Sequence, residues 1–190
     1  MKRTSLFFAL MFTAFTAFSQ TWSSDAAHSR LGFSIKHLLI SDVTGNFKKF
    51  EVKAVTTKPD YLDAKIELTA EIASINTDND KRDEHLKSAD FFDAAQFSKL
   101  TFTSTSLKKI SPKNYKLVGN LTMHGVTKAT TLELVHVGKT TNPMNKKEIN
   151  VFTLKGLVKR SDFILGAKFP EAMLSDVVEI SANIEMSPVQ

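Results

Sequence analysis

Apolar and polar residues alternate with a period of two along nearly the whole chain. Successive side chains of a β-strand point to opposite faces, so this pattern calls for strands with one apolar and one polar face. Leu31, Phe33 and Ile35 alternate with Arg30, Ser34 and Lys36, and the pattern returns over Ala64–Ile72, Tyr115–Met123, Leu132–Leu134, Phe152–Val158 and Val178–Met186. Phe102 lies on a further such run. Phe47 and Phe50 are out of phase, which predicts a bulge or bend between them. Turn residues punctuate the runs at Pro59-Asp60, Ser111-Pro112-Lys113-Asn114, His124-Gly125 and Asn142-Pro143. These connections are too short for crossover helices, so the strands are antiparallel. Eight or so of them, each with one apolar face, are best satisfied by closing the sheet. The expected fold is all-β, an extended antiparallel eight-stranded barrel. Its interior is either filled by side chains or holds one small ligand.

The densest charged block interrupts this pattern at Ile75–Phe92. Asp78 or Asp80 suits a helix cap, Asp83 and Glu84 suit the first turn, and Asp83 stands four residues before Lys87. Leu86 anchors the turn, and Phe91 and Phe92 follow as a large apolar plug. A capped helical turn between strands, ending in two aromatics, suits a lid on the barrel.

Residues 1–19 read as an export signal. Lys2 and Arg3 form a basic start, Leu6 to Phe18 is apolar, and Ala17-Phe18-Ser19 resembles a small-x-small cleavage site. The apolar run is shorter than the ~20 residues of a membrane span, and no other run is longer. Residues 20–190 are therefore expected to form one exported, soluble domain that does not span the membrane. The periplasm is the expected location, with secretion as the alternative. The absence of cysteine excludes both disulfides and a lipid-modified cysteine anchor. Loss of Lys2 and Arg3 would lower the formal charge from +5 to +3, too mild a bias for a nucleic-acid partner. Strand edges would allow a homodimer.

Periodicity alone does not distinguish a filled barrel from a hollow one. A filled barrel would be a structural or stress-related scaffold. A hollow one with apolar walls would hold a hydrocarbon chain by burial. One five-carbon prenyl unit gains roughly 3–4 kcal/mol at ~0.8 kcal/mol per buried carbon. Association costs on the order of 4–15 kcal/mol, so several buried units are needed.

The polar residues offer little chemistry of their own. The five histidines form no His-Glu-x-x-His or His-x-His pair, so no metal or other cofactor is expected. His37 and His136 follow apolar faces in phase and suit structural or head-group roles. Arg82, Asp83 and His85 lack a neighbouring nucleophile, and Arg82 and Asp83 point in different directions on a helix. Separate hydrogen bonds pinning the lid are the expected role of that pair. No enzyme is expected. The rival reading is an enzyme on a small amphiphile with His85 or His124 as acid/base.

Several motifs occur in an order that carries a resemblance. His28-Ser29 is followed by His37 and Gly45-x-Phe47. Next comes Asn76-Thr77 with Arg82-Asp83-x-His85-Leu86 and Asp90-Phe91-Phe92. Phe102-x-Ser104 and Gly119-x-Leu121-x-x-His124-Gly125-Val126-Thr127-Lys128 complete the set. The chain resembles the YceI-like polyisoprenoid-binding proteins over essentially all of residues 20–190. The resemblance implies a lipocalin-like barrel whose apolar tunnel takes a quinone- or polyprenyl-type isoprenoid or another long amphiphile. It also implies a periplasmic, non-enzymatic protein. Tunnel lining would fall on Phe33, Ile35, Phe47, Ile66, Leu68 and Leu86, and on Phe91, Phe92, Phe102, Leu121, Leu132 and Phe163. Head-group contact would fall to His37, Arg82, Asp83, His85 and His124. One departure is Ile164, which stands where a glycine often follows the family's late Asp-Phe motif.

Overall fold

The computed structural model describes residues 19–189. The expected export signal therefore lies, apart from Ser19, outside the described residues. The strands are β1 (Gln20–Ser24), β2 (Arg30–His37), β3 (Ser41–Phe47), β4 (Phe50–Thr56), β5 (Lys65–Glu71), β6 (Ile75–Asn76), β7 (Lys99–Lys109), β8 (Asn114–Met123), β9 (Val126–Thr141), β10 (Glu148–Lys159) and β11 (Leu174–Pro188). One α-helix, α1 (Asp80–Lys87), interrupts them between β6 and β7. No helix among the described residues is long and apolar enough to cross a membrane.

The sheet runs β1-β4-β5-β7-β8-β9-β10-β11 and closes where Trp22 pairs with Pro188 and Ser24 with Met186. The earlier part of β11 pairs instead with β2, at Ile180↔Phe33 and Val178↔Ile35, and β2 pairs with β3. Thus β1 and β2 are two halves of one broken barrel strand, and β3 and β4 are halves of another. The ring is an eight-stranded antiparallel barrel, as expected from the alternation.

Its irregularities follow from the apolar pattern. The break between β3 and β4 falls at Lys48 and Lys49, between Phe47 and Phe50. Those two residues reset the phase, and both phenylalanines reach the core. A register shift in β7 between Ser104 and Ser106 brings Leu107 opposite Leu117. A second shift pairs Phe152 with His136 and leaves Val137 exposed. Large side chains face small ones across the interior. The Phe102 ring and the Thr103 carbonyl occupy the space that a Cβ on Gly119 would need. The expected strand over Ala64–Ile72 is shorter at both ends, because Ile72 enters a 3₁₀ turn (Ile72–Ser74) and remains fully buried there.

The end of the barrel beside α1 also carries a 3₁₀ turn at Arg160–Phe163. Ile164, which ends it, adopts φ 60° and ψ 24°. The position that departs from the glycine common in similar sequences thus keeps the left-handed backbone and holds a β-branched residue in it.

Candidate functional site

The barrel is hollow. An inner cavity of about 150 Å³ lies inside the barrel, and an outer cavity of about 390 Å³ lies beneath α1 and the 165–174 segment. Phe33, Phe47, Leu100 and Ile180 line both, so the two cavities are neighbours along the barrel. The outer volume falls within the range of small-molecule sites, and the inner one extends it. Many inward residues, among them Phe33, Ile66, Leu68, Phe152, Leu154 and Ile180, are only half-buried although they point into the barrel. A filled core would have covered them completely.

Among the described residues no charged side chain lines the inner cavity, and several of its polar members are already engaged. Thr56 Oγ1 donates to Asp63, and the Tyr61 hydroxyl donates to Asn150 Oδ1 at 3.0 Å. His136 Nε2 also donates to that oxygen at 3.0 Å, while its ring stacks on Phe152 with centroids 4.9 Å apart. Tyr61 sits edge-on to Trp22, His136 and Phe152 and closes the end of the barrel far from α1. Burial, aided by the Glu148 charge, pushes the Tyr61 phenol up from its ordinary value. Among the described residues one buried side-chain donor, Trp22 Nε1, has no hydrogen-bond partner.

The outer cavity is different in character. Apolar walls from Ile35, Leu86, Phe91, Phe92 and Val178 share it with His37, Thr77, Arg82, His85 and Arg160. His37, His85 and Met173 on its lining are exposed, so the cavity reaches solvent there.

The helix is held by a relay on one threonine. Asp83 is buried and accepts from both the Thr77 backbone N–H (2.9 Å) and the Thr77 hydroxyl. The same hydroxyl accepts from Arg82 Nε at 2.8 Å, and Arg82 Nη2 donates to the Thr77 carbonyl at 2.7 Å. The pinning role expected for Arg82 and Asp83 is present, but the bonds converge on one residue at the end of β6 instead of running separately. The cap is Asn79, whose side chain accepts from Arg82 N, and not Asp78 or Asp80. Lys87 pairs with Glu84 and not with Asp83, whose carboxylate is turned inward.

Aromatic rings close the space between α1 and the barrel. Phe92 meets Phe47 edge-on at 6.2 Å. Phe91 stacks on Phe169 at 5.1 Å, with His85 edge-on to both rings. Asp90 fastens this corner through Lys168 Nζ at 2.6 Å and lies 3.5 Å from His85 Nε2. The Lys168 ammonium, followed by His85, holds the Asp90 carboxyl below its ordinary range. Arg160, buried and in no ion pair among the described residues, donates to five backbone carbonyls, those of Leu165, Gly166, Phe169, Leu174 and Ser175. It thereby shapes the segment that faces α1. Nothing in its neighbourhood in the sequence marks it out, and the alternation assigns it no role.

Of the expected tunnel residues, Ile66, Leu68, Phe102, Leu121 and Leu132 line the inner cavity, Ile35, Leu86, Phe91 and Phe92 the outer, and Phe33 and Phe47 both. Phe163 lines neither. It is 1% exposed and packed in the core, because the 3₁₀ turn that carries it lies against β9, β10 and β11. Of the head-group candidates, His37, Arg82 and His85 line the outer cavity, whereas Asp83 and His124 do not. Asp83 is consumed by Thr77. His124 Nδ1 donates to the Phe163 carbonyl at 2.9 Å and tethers the β8–β9 turn, where His124 (φ 50°) and Gly125 (φ 72°) take the two left-handed positions. A surface trio, Asp25, His28 and Glu185, has ligand-type atoms within 4.8 Å of one another but lies outside both cavities.

A hollow, apolar eight-stranded barrel stoppered by one short helix agrees with the motif order of the sequence. The model of the YceI-like domain matches residues 22–186. The chain belongs to the YceI-like family. A UPF0312 protein of Staphylococcus aureus (strain bovine RF122 / ET3-1) is 37% identical over 169 residues, covering 86% of this chain and 95% of its own. The crystal structure of the Campylobacter jejuni YceI protein superposes with a TM-score of 0.74 at 36% identity, covering 82% of this chain and 91% of that one. A polyisoprenoid binding domain from Saccharophagus degradans shares the fold at 17% identity, with a TM-score of 0.63 and coverage of 88% and 98%.

Proposed function

We propose that this YceI-like barrel is an exported carrier of a long-chain amphiphilic lipid, of quinone or polyprenyl type, acting in the periplasm. The observation that carries the reading is the division of labour between the two cavities. The inner one presents largely apolar walls and no charge, while the basic side chains gather in the outer one beside α1. An oily tail gains free energy in the first through burial alone. A polar head is left at the second, near His37, His85 and Arg82, where solvent is also within reach. The name of the Saccharophagus degradans domain, which has this fold, agrees with such a ligand. The basic-apolar-small pattern of residues 1–19 supports export.

Native mass spectrometry of the protein purified from its own envelope tests the reading. A co-purifying isoprenoid or comparable lipid is the expected result. A protein that emerges empty and also fails to take up added quinones and polyprenyl phosphates would refute it. Phe33→Trp adds a local check, since Phe33 borders both cavities. The larger ring should be tolerated and should weaken lipid uptake, whereas a filled core would instead lose stability through overpacking.

A further inference from the structure

We infer that the β2–β3 hairpin tip, Leu38-Leu39-Ile40, docks the protein on a lipid bilayer surface with the mouth of the outer cavity facing the membrane. The inference rests on the lipid-carrier reading and adds where the cargo is exchanged.

The tip is an unusual turn. His37 O accepts from Ile40 N at 3.3 Å, and the two central residues, Leu38 and Leu39, have φ of 51° and 61°. Two positive φ values are the pattern of a type I′ turn, whose central positions favour Asn and Gly. Branched apolar side chains there strain the backbone. Burial within the protein does not offset that strain, because Leu38, Leu39 and Ile40 are 50%, 57% and 84% exposed. Three consecutive apolar residues are thus held out into water at the point of a hairpin.

Position assigns the partner. Leu38 N donates to Met173 O at 2.9 Å, which fixes the tip beside Met173, itself 48% exposed. Met173, Leu174 and His37, which flank the tip, all line the outer cavity. The apolar projection and the cavity mouth therefore form one continuous surface. A water-insoluble cargo must leave or enter a bilayer, and a tip immersed at the interface would spare its tail the passage through water. Charge plays a minor part here. Lys36 is paired with Asp42 at 2.8 Å and Lys168 with Asp90 at 2.6 Å, so neither cation is free to seek anionic lipid. Docking should depend on apolar insertion and only weakly on salt.

The test uses the triple variant Leu38→Asn, Leu39→Gly, Ile40→Ser, which installs the preferred turn residues and so favours folding while removing the apolar tip. Two quantities are measured with a fluorescent polyene fatty acid: equilibrium uptake from vesicle-free buffer, and the rate of transfer from phosphatidylcholine vesicles. The expected result is unchanged uptake with vesicle transfer slowed about tenfold or more. Ile40→Trp should show an emission blue shift on adding the same vesicles. Equal transfer rates for variant and wild type would overturn the inference, as would an unshifted Ile40→Trp spectrum. Loss of uptake in vesicle-free buffer by the variant alone would also overturn it, since the tip would then serve the cavity itself. A wild-type protein that takes up no probe at all would sink the carrier reading first and this inference with it.

Discussion

The Tyr61 hydroxyl donates to Asn150 Oδ1 across the far mouth of the inner cavity, so a β4–β5 loop residue is tied to the wall strand β10. Because α1 covers the opposite end, the length of the enclosed space is set between these two closures. Tyr61→Ala should keep probe uptake but raise the dissociation rate, read by displacement fluorescence. Tyr61→Phe keeps the ring and loses one bond, so it should cost ~0.5–1.5 kcal/mol of stability and leave dissociation near wild type. Equal dissociation from Tyr61→Ala and wild type would show that this end is not a stopper.

The Thr77–Asp83 pair gives a separate handle on the helix. Asp83→Ala strips the partner from a buried backbone N–H and breaks the relay to Arg82, at a cost of ~1–3 kcal/mol. Amide exchange over residues 80–87 should accelerate while the barrel strands keep their protection. Uniform acceleration across the whole chain would mean that α1 is not an independent lid.

Arg160 should be among the most sensitive positions in the fold. Arg160→Met leaves five carbonyls to find new partners, and since a buried acceptor left unsatisfied costs about 1–3 kcal/mol, a loss of at least that size is expected in urea denaturation. Arg160→Lys should recover little, since a single ammonium cannot span five acceptors that a planar guanidinium reaches.

Ile164 offers a gain. Its left-handed backbone costs about 1–2 kcal/mol for a residue with a branched Cβ, and its side chain is 59% exposed. Ile164→Gly removes that strain against an entropic penalty of roughly 0.5–1 kcal/mol. The net effect should be a Tm raised by a few degrees, on the scale of about 2–4 °C per kcal/mol for a chain of this size. A lowered Tm would locate unrecognised packing at this residue.

Asp90 supplies a pH dependence. Lys168 and then His85 hold its folded pKa below the ordinary 3.8. Its stabilising contribution is therefore fully present above 3.8 and is lost as pH falls through the lower, folded value. The stability difference between wild type and Asp90→Asn should be constant at neutral pH and shrink in acid, measured by thermal melts across that range. A difference that grows in acid would reverse the assigned sign.

Most of the barrel was legible because strand geometry imposes its period on every residue it contains. Leu117, Phe102 and Ile184 announced their direction through their neighbours, and the phase slip between Phe47 and Phe50 announced the break at Lys48 and Lys49. Local chemistry was less legible where several residues compete for one role. Asp78, Asn79 and Asp80 are all competent caps, and the backbone decides, because Asp78 takes φ 59° and leaves Asn79 to cap. Tyr61 and Arg160 escaped because their partners lie far away in sequence or are backbone atoms, which no side-chain pattern encodes. The resemblance places Phe163 in the tunnel, whereas the 3₁₀ turn that carries it packs the ring into the core.

The seam between Gln20–Ser24 and Met186–Pro188 bears on how the molecule is made. The ring is joined by the first and last strands among the described residues, so a polypeptide emerging from its amino end carries bare sheet edges until β11 is made. Such distant pairing is slow to form. That timing makes β11 the latch of the whole assembly.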